Sequence, residues 1–392
     1  MDCRPAPAGR PHFDIGDIVR RHRPALEATQ GLTPTQRRVL SAIERCRTAA
    51  LGGHLDVCRS CGYEQPAYNS CRNRHCPKCQ GLAQEKWIDA RSRRLLPVRH
   101  FHVVFTLPSE LRALARFRSK ILFDALFRAA SETLLDLGRS RLGADLGITM
   151  VLHTWKRDLG FHPHVHAIVT AGGLALSGER WIDSSRRYLF PVEVMGELLR
   201  GKMIDALRAH HRRGDFDRFD DFEDPEGFER LIAKLAKVDW VVYAKKPFGR
   251  ADHVLQYLGR YTHRVGIANS RLVDVTDRRV IFRTKNGKTA TVTPVEFLRR
   301  FVQHVLPPGF VKIRHFGLLA GTCVASKLAV ARRLLLQREK PVDARAPLPA
   351  SWSERLLLLT GRDAHRCPRC GDALERTFLA SSPRAPPSSV AA

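Results

Sequence analysis

The sequence predicts an α+β chain with a zinc-binding head. Three observations carry this. Strand-type runs at Phe101–Leu107, Ile148–Trp155 and Val165–Thr170 are interleaved with long stretches of helical spacing. Cysteines and histidines crowd residues 51–82. Two short strands, Val280–Arg283 and Thr289–Thr293, flank Asn286-Gly287, a hairpin signal that favours antiparallel pairing.

Residues 1–13 are rich in Pro, Gly and Arg and read as a flexible start. Residues 14–97 form the first unit, helical and zinc-binding. Thr33 caps a helix whose first residue is Pro34, and Val39, Leu40, Ile43 and Cys46 follow at helical spacing. A basic helix over 83–98 carries Lys86, Arg91, Arg93 and Arg94. Residues 98–320 form the second unit, which opens with the first strand and a helical stretch over roughly 109–138. Residues 214–229 are acidic and read as a surface loop. Residues 321–374 hold a Cys-x-x-Cys pair, and 375–392 read as a disordered tail.

The chain has 392 residues and 66 Lys and Arg against 39 Asp and Glu, a net charge of +27. That excess points to a polyanionic partner, nucleic acid first, and away from ordinary acidic metabolic enzymes. Residues 241–320 alone carry 15 basic and 4 acidic side chains. No apolar run reaches a membrane span and the start lacks a secretory core, so a soluble cytoplasmic protein is expected.

Of ten cysteines, six lie between 46 and 79. Cys58-x-x-Cys61 and Cys76-x-x-Cys79 are two knuckles separated by fourteen residues, a layout that can place four thiolates around a structural Zn(II). Cys46, His54, Cys71 and His75 could complete a second site, although the two histidines could equally make hydrogen bonds. Arg72, Arg74 and Lys78 suit phosphate contacts. Cys367 and Cys370 supply only two thiolates: half of a degenerate site, a partner for another part of the chain, or an exposed turn.

His164 and His166 lie two apart on a strand and therefore share a face. If the preceding strand pairs with theirs, His153 reaches the same face as a third ligand. Three imidazoles leave room on a divalent cation for a phosphate oxygen. The plainer alternative is a surface pair beside the turn at Pro163. Tyr257 and Tyr261, four apart on a helical pattern, present two phenols on one side, with Arg260, His263 and Arg264 nearby. Alone, such a pair more often packs in a core.

Taken together, the order of zinc cluster, His-hydrophobic-His and Tyr-x-x-x-Tyr resembles the two-tyrosine HUH transposases of the insertion sequence 91 family. The likeness spans roughly residues 15–320 and includes Asn69-Ser70-Cys71-Arg72-Asn73-Arg74-His75-Cys76-Pro77-Lys78-Cys79 and Tyr257-Leu258-Gly259-Arg260-Tyr261-Thr262-His263-Arg264. The resemblance implies a ferredoxin- or palm-like antiparallel sheet with flanking helices. It implies Mg(II) or Mn(II) on His164 and His166, with His153 where related relaxases place a third histidine. It implies Tyr257 and Tyr261 as nucleophiles that cut single-stranded DNA through a 5′-phosphotyrosine, and an N-terminal zinc module that binds DNA at element ends in the bacterial cytosol or nucleoid.

Three other readings compete. His162, His164 and His166 alternate as in histidine-triad nucleotide hydrolases, which leaves the charge, the cysteines and the tyrosines unexplained. A non-catalytic zinc-dependent regulator would tolerate loss of the histidines or tyrosines, and both sets are present. A plasmid replication initiator or relaxase shares the chemistry and differs in its DNA site.

Overall fold

The computed structural model describes residues 13–92, 94–185, 188–222, 224, 226–248, 266–338 and 349–382. The first helical region holds two helices. Asp14 caps α1 (Ile15–Thr29) by accepting the Gly16 N–H. Thr33 opens α2 (Pro34–Arg45) with a capping box: its hydroxyl accepts the Gln36 N–H at 3.2 Å, and its own N–H donates to Gln36 Oε1 at 2.9 Å. Next come the strands β1 (Gly53–Val57) and β2 (Glu64–Tyr68), then α3 (Gly81–Ser92).

The centre of the molecule is built from β3 (His100–Thr106), α4 (Arg112–Phe117), α5 (Ser119–Leu142), β4 (Ala144–Trp155), β5 (Phe161–Ala175), β6 (Trp181–Asp183), α6 (Val192–Arg212), α7 (Gly227–Lys237) and β7 (Val242–Phe248). After residue 266 follow β8 (Leu272–Val275), β9 (Val280–Arg283), β10 (Thr289–Val292), α8 (Pro294–Val302), β11 (Ile313–Gly317), α9 (Lys327–Leu336), α10 (Trp352–Thr360) and β12 (Glu375–Leu379).

The main sheet runs β11-β4-β5-β3-β7, with β6 paired to β5, and its ladders are antiparallel. Period-2 alternation splits it into two faces. Phe101, Val103, Ile148, Met150, Val165 and Ala167 point into a core shared with α5 and α6. The register pairs Val104 with His166 and His153 with His164, so the intervening residues all lie on the other face. On that face Val151 and Ile168 pack against Trp87 of α3. Farther along, Leu174 and Trp181 meet Leu328 and Leu335 of α9.

A second core joins the chain's beginning to its later part. Ile15, Ile18, Leu40 and Ile43 pack with Phe282, Phe297 and Phe301 over the three-stranded sheet β10-β9-β8. These phenylalanines are fully buried. The β9–β10 hairpin turns through Asn286 and Gly287 at φ 56° and 74°, the left-handed pair that such a tight turn requires.

The acidic stretch keeps its carboxylates at the surface, with Asp217, Asp220, Asp221, Asp224 and Glu229 exposed, while Phe216 and Phe228 are buried beneath it and Asp215 is held by His210 at 2.7 Å and Arg213 at 3.2 Å. One expectation needs correction. The tail is ordered at its start, since β12 pairs with β1 over five residues, from Gly53 with Leu379 to Val57 with Glu375. Thr377 and Phe378, β-branched and aromatic, suit a strand; Ser- and Pro-rich composition begins only beyond it.

Candidate metal centres

The three histidines converge. β4 and β5 pair antiparallel with His153 opposite His164, and His166 follows two residues on, so the candidate ligand atoms lie within 4.8 Å of one another. The ring centroids of His153 lie 4.2 Å from those of His166 and 5.4 Å from those of His164. His153 is buried at 3 % exposure, and the other two are partly open.

Burial, with the neighbouring imidazoles, holds His153 and His166 well below the ordinary histidine range, and burial lowers His164. All three are therefore neutral near pH 7, the form that ligates a metal. The tautomer of His164 is set: its Nδ1–H donates to the His162 carbonyl at 2.7 Å, which leaves the Nε2 lone pair for a cation. The donor set thus fits a divalent ion with positions to spare for oxygen ligands.

Sequence reasoning missed His102. Its Nε2 lies 2.7 Å from Nδ1 of His166, with the two rings stacked at 5.0 Å. When His166 Nδ1–H donates to His102, the lone pair of His166 is on Nε2, as it is on His164. Such outer partners typically govern affinity by 10–100-fold. His102→Ala is therefore expected to weaken Mn(II) binding by about that factor with the fold intact, as read by calorimetric titration. Unchanged affinity would remove His102 from the site. The signal was present: His102 stands at an even position of a strand whose odd positions are all apolar. His162, central to a histidine-triad reading, sits outside the group of three, with its ring 5.2 Å from His164.

The cysteines pair differently from their sequence spacing. Cys46, Cys71, Cys76 and Cys79 form one quartet; Cys58 and Cys61 face Cys367 and Cys370 in another. The expected set Cys58, Cys61, Cys76 and Cys79 is therefore divided between two centres. The β1–β2 hairpin carries the first knuckle away from the second, while the end of α2 brings Cys46 to Cys71. In the first quartet Cys46 and Cys76 are buried within the second core, and Cys71 and Cys79 sulfurs lie 3.8 Å apart. Hydrogen bonding, chiefly from Cys71, brings the Cys46 thiol down to about 7.

Neither candidate histidine joins a quartet. His75 uses both nitrogens: Nε2 accepts the Leu306 N–H at 3.1 Å, so Nδ1–H faces Asn73 Oδ1 at 3.1 Å. His54 sits on β1 with Nε2 3.5 Å from Asp56. Two candidate phosphate contacts are also committed internally. Arg74 donates to the carbonyls of Pro307 and Phe310, and Lys78 pairs with Asp14 at 2.7 Å. Arg72 is exposed. Tyr257, Tyr261, Arg260 and Arg264 lie outside the described residues. Among the described residues, no helix is long and apolar enough to cross a membrane.

Two family models match this chain. One, described as "Transposase zinc-binding domain" and of the insertion sequence 91 type, covers residues 18–107. The other, described as "Putative transposase", covers residues 147–327, which include His153, His164, His166 and both tyrosines. "Putative transposase y4qJ" of Sinorhizobium fredii (strain NBRC 101917 / NGR234) is 42% identical over 369 residues, covering 91% of this chain and 92% of its own. "Transposase for insertion sequence element IS801" of Pseudomonas savastanoi pv. phaseolicola is 31% identical over 375 residues, covering 90% of this chain and 85% of its own. No solved structure matches the chain.

Proposed function

The chain belongs to the transposases of the insertion sequence 91 family, enzymes that cut and join DNA, and on that premise we propose a metal-assisted, two-tyrosine mechanism on single-stranded DNA. The observation that carries it is the meeting of His153, His164 and His166 on the sheet face opposite α5 and α6. A divalent cation there, Mg(II) or Mn(II), would polarise a phosphodiester and offset the charge that builds on it in the transition state.

The chain's own groups supply the nucleophile and the track. The phenol of Tyr257 or Tyr261 gives up its proton and its oxygen attacks phosphorus. The tyrosyl O–P bond forms as the bond to the 3′ oxygen breaks. That oxygen leaves with the electron pair and takes a proton, so the products are a 5′-phosphotyrosine and a free 3′-OH. Attack by a 3′-OH on the phosphotyrosine reverses the step and joins strands. Two tyrosines allow two such exchanges in succession, as rolling-circle-type transposition needs.

Position supports this assignment. β7 pairs with β3, the neighbour of the histidine strand, and the chain then runs on to the segment holding both tyrosines. Arg91 of α3 and Arg94 just beyond it lie near His315 of β11, whose imidazole burial first, and then these two charges, lower to about 4. The four thiolates of Cys46, Cys71, Cys76 and Cys79 leave no open position for substrate, so zinc there would be structural.

The test uses end-labelled single strands from the element's termini with Mg(II) or Mn(II), resolved on a denaturing gel. A metal-dependent covalent band should survive Tyr257→Phe or Tyr261→Phe in part and vanish in the double variant. Bound DNA with no adduct under either metal would overturn the proposal in favour of a DNA-binding regulator.

A further inference from the structure

The second cysteine quartet joins two parts of the chain about three hundred residues apart, and the matched zinc-binding family segment at 18–107 contains only half of it. We propose that Cys58, Cys61, Cys367 and Cys370 hold one zinc ion that fastens the C-terminal segment onto the N-terminal module.

Geometry argues for a metal over a disulfide. Cys58 and Cys370 sulfurs are 3.4 Å apart and those of Cys61 and Cys367 are 3.6 Å apart, with all four within 4.8 Å. A disulfide needs about 2.05 Å. Four thiolates at about 2.3 Å from a tetrahedral Zn(II) stand about 3.8 Å from one another.

The two half-sites are also built alike. In the first, Gly62 N–H donates to the Cys58 carbonyl at 3.0 Å and Cys58 N–H to the Tyr63 carbonyl at 2.8 Å. In the second, Gly371 N–H donates to the Cys367 carbonyl at 2.9 Å and Cys367 N–H to the Asp372 carbonyl at 2.7 Å. Both glycines take the left-handed φ that closes the turn, 68° and 83°. This repeated fold of Cys-x-x-Cys-Gly presents two sulfurs from each turn towards the other pair.

The segment needs such a tie. Among residues 349–382, Cys367 is the one side chain in the buried hydrophobic set, and α10 buries none. Besides the ladder, the segment is held by the half-buried pair of Arg376 with Asp56 at 2.7 Å, by the exposed pair of Arg59 with Glu375 at 2.8 Å, and by single hydrogen bonds such as Arg362 to Gln65 at 2.6 Å and Ser382 N–H to the Ala49 carbonyl at 3.1 Å. Exposed ion pairs contribute little. A segment without its own core relies on metal binding for its folding free energy.

Zinc content of the purified full chain decides the matter. The parent should carry two zinc ions. Cys58→Ser/Cys61→Ser, Cys367→Ser/Cys370→Ser and the fourfold variant should each carry one, because all three empty the same site. Trypsin should then cut the Cys367→Ser/Cys370→Ser chain rapidly after Arg355 or Arg362. Two zinc ions retained in that variant, or none in the fourfold variant, would overturn the proposal. Should the serine variants aggregate, Cys370→His supplies a nitrogen donor instead. Loaded with Co(II), it should still bind two ions but show weaker thiolate-to-cobalt charge-transfer absorption, since one of the eight thiolates is replaced; an unchanged spectrum would equally refute the site.

Discussion

Replacing both His164 and His166 with alanine is expected to lower DNA strand cleavage by about a thousandfold or more while DNA binding persists. A bound cation contributes several kcal/mol of charge stabilisation to phosphoryl transfer, and about 4 kcal/mol corresponds to about a thousandfold in rate. The two side chains supply two of the three converging nitrogens and lie on the more open side of the sheet. Their loss removes two imidazoles of the candidate site without emptying the core under α5 and α6, which is filled by Val165 and Ala167 from the opposite face of the same strand. Folding and affinity for a long single strand should therefore change little, because phosphate contacts spread over many basic groups. Single-turnover cleavage, fluorescence anisotropy and a thermal melt separate these quantities. Cleavage within tenfold of the parent would show that the three imidazoles do not hold the catalytic ion. The contrast with His102→Ala is informative: that change leaves all three ligands and weakens their orientation, so saturating Mn(II) should restore its rate. No metal concentration should rescue the double variant.

The histidine centre was legible because strand geometry is local. Two residues apart means one face, and the eleven residues from His153 to His164 are few enough for adjacent antiparallel strands to bring the two opposite each other. The cysteine pairing was not legible from spacing, because ligands are chosen by where elements pack. Cys58 and Cys61 are nearer in sequence to Cys76 and Cys79, yet β1 and β2 carry them to the C-terminal strand. One cue did exist: Gly62 and Gly371 follow their cysteine pairs, whereas Gln80 follows Cys79. Charge was misleading for a similar reason. Arg74 and Lys78 look like phosphate contacts in a basic run, but burial turns them to carbonyls and to Asp14. His75 stands among cysteines and instead holds the backbone at Leu306. The helix cap at Thr33 and the turn at Asn286-Gly287 were readable outright, since each depends on residues within four of one another.

Cys76→Ser is expected to unfold one half of the molecule and spare the other. Cys46 and Cys76 are not at a surface: both belong to the core formed by Ile15, Ile18, Leu40 and Ile43 with Phe282, Phe297 and Phe301. Structural zinc in such quartets contributes an apparent ~10–16 kcal/mol, as much as or more than the ~5–15 kcal/mol net stability of a whole domain. A serine at 76 removes one thiolate and leaves three crowded sulfurs without their cation. The core over β8, β9 and β10 then loses the tie between α2 and the loop that leads to α3. The main sheet has a separate core under α5 and α6 and should remain. Hydrogen exchange is the suitable measurement: amides of α1, α2, α8 and β9 should lose protection in Cys76→Ser, while those of α5, β4 and β5 keep it. Cys58→Ser, equivalent to Cys76→Ser if the two knuckles shared one ion, should leave α1, α2 and β9 protected and free only β12 and its neighbours. Identical exchange patterns in the two variants would mean that the knuckles form a single centre and that the two quartets do not exist in solution.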